Sequence, residues 1–156
     1  MRRIALAVAA LCASTAALAG CASESTTTEV SGPNGYALVG TLADGSELWW
    51  DRSPESGATD VIVESPEGTM MASCLSAAPL LCVAGPDSAP AAIVIAPEGG
   101  ERAVVTWYGT PVELTRGEVS AEGAVPVFAG IMPARAAEGA VTVQVLDAAG
   151  GVVWEQ

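Results

Sequence analysis

The sequence predicts an all-β fold, an antiparallel immunoglobulin-like sandwich covering residues 36–156. Three observations carry that expectation. Beyond Tyr36 the chain falls into short apolar runs divided by Gly, Pro and Asp, with starts roughly 8–12 residues apart, the spacing of a sandwich or barrel. Val141, Val143 and Val145 alternate with Thr142 and Gln144, the period of two that gives a strand one dry and one wet face. No stretch in this region carries apolar residues at helical period.

The first element is a leader. Arg2 and Arg3 form a basic head, and Ile4 to Leu18 form an apolar run, which is the build of an export signal. About fifteen apolar or small residues are too few for a membrane span of ~20, and no second apolar stretch follows. Two cleavage readings compete. Ala17-Leu18-Ala19 is an A-x-A site whose use would release an exported protein, leaving Cys21, Cys74 and Cys82, an odd thiol count. Leu18-Ala19-Gly20-Cys21 instead resembles the lipobox of bacterial lipoproteins. That resemblance covers residues 1 to about 30 and implies cleavage before Cys21 with a diacylglyceryl group on its sulfur. Consuming Cys21 leaves an even pair and favours this reading. Two acyl chains hold a protein firmly, at ~0.8 kcal/mol per buried methylene, so the partner implied is a lipid bilayer and the location the outer face of the cytoplasmic membrane.

Residues 21–35 are rich in Ser and Thr without apolar period and read as a flexible tether carrying a single folded domain. Strands are then expected at Tyr36 to Leu42 and Ser46 to Asp51, joined by Ala43-Asp44-Gly45, a three-residue loop ending in the glycine that a bulged hairpin needs. Val61 to Ser65 and Thr69 to Leu75 flank Pro66-Glu67-Gly68; Ala91 to Ala96 and Arg102 to Tyr108 flank Pro97-Glu98-Gly99. Proline pre-sets φ in each turn and glycine closes it. The remaining strands are Pro111 to Thr115, Val125 to Met132, Ala140 to Leu146 and Val152 to Glu155. The strand-turn-strand segments of the C-terminal half, Val-Val-Thr-Trp-Tyr-Gly among them, resemble those of actinobacterial surface lipoproteins, as does the Ala, Gly, Val and Arg-rich composition.

Composition constrains the chemistry. The net charge is -12, and the chain holds no histidine and no lysine. So acidic a surface repels phosphate backbones, which argues against nucleic acid as a partner and leaves a solvated coat or a cationic partner as readings of the charge. Without histidine there is no Ser-His-Asp or Cys-His nucleophile and no H-E-x-x-H zinc site; without lysine there is no Schiff base or G-K-[ST] loop. No cofactor is expected and no metal-ligating set stands out.

Cys74 and Cys82 enclose seven residues and read as a structural disulfide, worth roughly 2.6 kcal/mol by loop entropy; C-x-x-C spacing would have supported a redox pair instead. Two aromatic doublets, Trp49-Trp50 and Trp107-Tyr108, are candidate ligand-binding rings. Neighbours on a strand face opposite ways, so each doublet should send one ring inward and the other outward, unless a loop covers it. Phe128 and Trp154 read as core. Glu47 and Asp51 lie four apart around Trp49, so all three can share a strand face, the company a two-carboxylate glycosidase keeps. The expectation is a non-enzymatic, membrane-tethered module binding an envelope protein or glycan. A carboxylate-dependent hydrolase of wall polymers and an accessory subunit of an envelope transport or secretion complex are the alternatives.

Overall fold

Alternation and turn chemistry produce twelve strands among the described residues, all paired antiparallel: β1 (Ala37–Thr41), β2 (Glu47–Arg52), β3 (Thr59–Glu64), β4 (Met70–Ser76), β5 (Leu80–Ala84), β6 (Ala91–Ile95), β7 (Arg102–Trp107), β8 (Thr110–Glu113), β9 (Thr115–Arg116), β10 (Val127–Ile131), β11 (Val141–Leu146) and β12 (Val152–Glu155). The computed structural model describes residues 35–121 and 123–156. The leader, the lipobox with Cys21 and nearly all of the tether lie outside the described residues.

The strands form three sheets of four: sheet I in the order β1-β2-β3-β4, sheet II in the order β5-β6-β10-β9 and sheet III in the order β12-β11-β7-β8. The all-β, antiparallel expectation therefore stands, but the architecture has three sheets where strand spacing suggested the two of an immunoglobulin-like sandwich. The reason lies in β6. Its five residues, Ala-Ala-Ile-Val-Ile, are all buried, because sheet II is covered on both faces. Ala91, Ile93, Ile95, Val127 and Ala129 pack on Val39, Leu48, Trp50, Val61 and Val63 of sheet I. Ala92, Val94 and Phe128 point the other way, onto Ala103, Val105, Trp107, Val143 and Val145 of sheet III. A strand buried on both sides loses its polar alternation and reads as one continuous apolar run. Phe128 is fully buried, and Trp154 packs half-buried against the same cluster.

The local turn rules hold. Asp44 accepts from Ser46 N at 3.0 Å and from Ser46 Oγ at 2.9 Å, which satisfies a serine that is itself fully buried. Gly100 N donates to Pro97 O at 3.2 Å, and Gly68 N to Ser65 O at 2.9 Å, closing the two Pro-Glu-Gly turns. The β7–β8 hairpin differs from expectation. Tyr108 is not on the strand but is the first residue of a two-residue turn with Gly109, and both have positive φ (47° and 87°). That pairing is the I′ turn whose twist suits a tight hairpin.

Three links tie the layers. The disulfide Cys74–Cys82 joins β4 to β5, with Cα atoms 6.0 Å apart. Glu118 N donates to Val39 O at 2.6 Å, fastening the free side of β1 to the segment after β9. Leu81 N donates to Gln156 Oε1 at 3.2 Å, joining sheets II and III. Leu80 to Ala84, anticipated as part of the disulfide loop and beyond, is a strand of the middle sheet, so only Ala77, Ala78 and Pro79 separate β4 from β5. Gly117 sits where a side chain cannot: a Cβ there would lie 2.9 Å from Val127 Cγ2 and 3.1 Å from both Leu48 Cδ2 and Val39 Cγ2.

Candidate functional site

Sheet I is covered by sheet II on one face, and period two sends every other residue to the opposite, outward face. The registers of β1 to β4 arrange those residues in rows. Leu38, Trp49, Ile62 and Ser73 are paired partners across the four strands and form an apolar centre with a serine at its edge. On one side Glu47 pairs with Glu64; on the other Asp51 pairs with Asp60, and Asp60 with Leu75. The outward face thus places a tryptophan between two cross-strand carboxylate pairs.

Like charges directly opposite one another destabilise a sheet, so this arrangement would ordinarily be relieved by a cation. None of the described arginines supplies one. Arg102 pairs with Glu113 at 3.1 Å, Arg116 with Glu101, and Arg135 with Asp87 at 2.9 Å. Arg52 donates to the Gly123 carbonyl. The relief given to Asp60 is a neutral donor, the Tyr36 hydroxyl, 2.6 Å from Oδ2. That hydrogen bond, then burial, then the charges of Asp60 and Asp51 push the Tyr36 pKa up to about 12. Asp60 Oδ1 and Trp49 Nε1 are buried without a hydrogen-bond partner among the described residues. The carboxylates stay spread over the face: no three acidic or cysteine side chains among the described residues converge as metal ligands would.

The aromatic doublets behave differently from one another. Trp49 and Trp50 do face opposite ways, Trp50 into the core between sheets I and II. Both are nonetheless buried, at 6% and 8% exposure, so Trp49 offers no open ring face for stacking. Trp107 lies in the core between sheets II and III, 3% exposed, and its Nε1 donates to Pro133 O at 3.1 Å. Tyr108, placed by the turn rather than the strand, is half-buried and meets the Trp107 ring edge-on at 4.9 Å. The four rings therefore do not form one site; three are packing elements, and Tyr108 caps the second core.

Glu47, Trp49 and Asp51 share the outward face, as their spacing indicates. Four residues of strand separate the two carboxylates by about 13 Å, beyond the ~6.5–9.5 Å between the acid and base of an inverting glycosidase. The acids that do come close are cross-strand partners, and sequence reasoning missed them. Asp60-x-Ile62-x-Glu64 mirrors Glu47-x-Trp49-x-Asp51, an acid at each end and a large apolar residue at the middle, and that mirrored alternation was the available signal. Comparison with known protein families, with curated proteins and with solved structures finds no match to this chain.

Proposed function

We propose that this chain is a lipid-anchored, non-enzymatic binding module of the bacterial cell envelope, and that its outward sheet I face takes a cationic partner. The observation that carries the reading is the pair of in-register carboxylate couples, Glu47–Glu64 and Asp51–Asp60, on either side of Trp49, which none of the described arginines reaches. A basic segment of an envelope protein, or an amine-bearing polymer, relieves that repulsion on docking, and its charges spread over the face as the carboxylates do.

The anchor rests on Leu18-Ala19-Gly20-Cys21 alone. On this reading the module sits on the outer face of the cytoplasmic membrane, held through acylated Cys21, with residues 21–35 as its tether. Intact-mass measurement of the native protein tests this directly. A chain beginning at a diacylglyceryl-modified Cys21 supports it, and one beginning at Gly20 with a free thiol overturns it.

Docking is tested by titrating the protein with oligolysine. Binding should weaken steeply with salt and fall in Glu47→Gln/Asp51→Asn, with oligoglutamate inert. Equal binding of wild type and the double variant overturns the cationic-partner reading. Loss of a measured wall-polymer hydrolysis in that same variant would favour a hydrolase instead, and co-purification with a membrane transport or secretion complex would make the module an accessory subunit.

A further inference from the structure

Arg52 follows Trp50 on the inward side of β2, at the end of the strand where sheets I and II part. Three of the described arginines each meet a carboxylate; among the described residues Arg52 meets none within 4.0 Å. Its Nη1 donates to the Gly123 carbonyl, and Gly57 backs the other side, where an added Cβ would lie 3.8 Å from Nη2. An arginine carries five donors in a planar fork, so one bond to a carbonyl leaves most of its capacity unused.

Two clefts meet at this guanidinium. The outer one, about 450 Å³, opens beside Trp50, Asp51, Ser53 and Pro54. The inner one, about 210 Å³, lies under the disulfide loop and is lined by Thr59, Ala77, Ala78, Pro79, Ile95 and Val125. Arg52 and Gly57 border both. Trp50, which lines the outer cleft, is itself only 8% exposed, and its Nε1 is buried without a partner among the described residues. A guanidinium with unused donors among the described residues thus stands beside a largely apolar recess.

We propose that these clefts bind a small organic carboxylate with a short apolar tail: the carboxylate on Arg52 and the tail in the inner recess. A planar carboxylate matches the guanidinium fork. Asp51 at the rim of the outer cleft opposes a second negative charge, which favours a monoanion over a phosphate. The inner recess holds about seven groups of ~30 Å³, so the tail runs to about six to eight carbons. This site lies beyond the end of the acidic face and shares only Asp51 with it.

The test is isothermal titration of the full-length protein with octanoate, octanol and octylamine. Octanoate should saturate one site, with octanol at least about tenfold weaker and octylamine silent. Arg52→Gln removes the charge, and Ala78→Trp, on an exposed loop position, fills the recess; each should weaken octanoate about tenfold or more without moving the thermal midpoint. If Arg52→Gln does not fold, Ala78→Trp decides alone. No saturable octanoate binding, equal affinity for octanol, or undiminished binding in the folded Ala78→Trp protein overturns the proposal.

Discussion

Replacing Glu64 by Gln tests whether the outward carboxylates are held at a cost to stability. Glu64 pairs directly with Glu47 on the outward face of sheet I, and both are half-buried. Cross-strand partners stand about 5 Å apart, a separation at which two unit charges in water repel by about 0.8 kcal/mol. At physiological salt, with a Debye length of about 8 Å, roughly half of that survives. Glutamine keeps the shape and removes the charge, so Glu64→Gln should be more stable than wild type, by about 0.4 kcal/mol at physiological salt and nearer 0.8 kcal/mol at low salt. The gain in thermal midpoint is about 1–2 °C in the first case and about 3–4 °C in the second. Calorimetry of both proteins across an ionic-strength series measures it. The same substitution should weaken oligolysine binding, so stability and binding move in opposite directions, as expected where a functional surface is retained at the expense of the fold. A variant no more stable than wild type at low salt, or a stability gap that widens with salt, would refute the reasoning.

Other expectations follow from the packing. Gly117→Ala pushes a methyl into Val39, Leu48 and Val127 and should destabilise by about 1–3 kcal/mol in chemical denaturation. Reduction of Cys74–Cys82 removes the covalent tie between sheets I and II and should lower stability by roughly 2.6 kcal/mol, seen as a lower thermal midpoint under reducing conditions. Phenolate absorbance should show Tyr36 ionising near pH 12, a signal lost in Tyr36→Phe. Because its folded pKa is raised, the stability it contributes is intact below the ordinary tyrosine value of about 10 and disappears as the pH climbs through about 12. Unfolding of Tyr36→Phe, followed across the same pH range, should lose that alkaline dependence.

What the sequence revealed and what it concealed divide along the range of the interactions. Asp44-Gly45 and the two Pro-Glu-Gly turns were legible because their geometry is set within four residues, by side-chain acceptors and permitted φ. Val141, Val143 and Val145 were legible because one face of sheet III is wet. The middle sheet was legible only in part: Ala91 to Ala96 and Val125 to Met132 stood out as strands, but burial on both sides erased the alternation that would have marked them as a layer of their own, and β5 beside Pro79 read as loop. Tyr108 was misplaced because a turn formed by Tyr-Gly continues an aromatic, strand-like run. At the candidate site, Glu47, Trp49 and Asp51 could be assigned one face from spacing alone. Their partners Asp60 and Glu64 could not, because register between strands depends on the whole core rather than on any local signal.

The most direct trial of the docking face uses a photoreactive amino acid in living cells, placed at Ser73, exposed in the row of Trp49, or at Thr142, exposed on sheet III. The account predicts that irradiation captures a basic envelope component from position 73 and not from position 142. Capture from 142 alone, or equal capture from both, would contradict it.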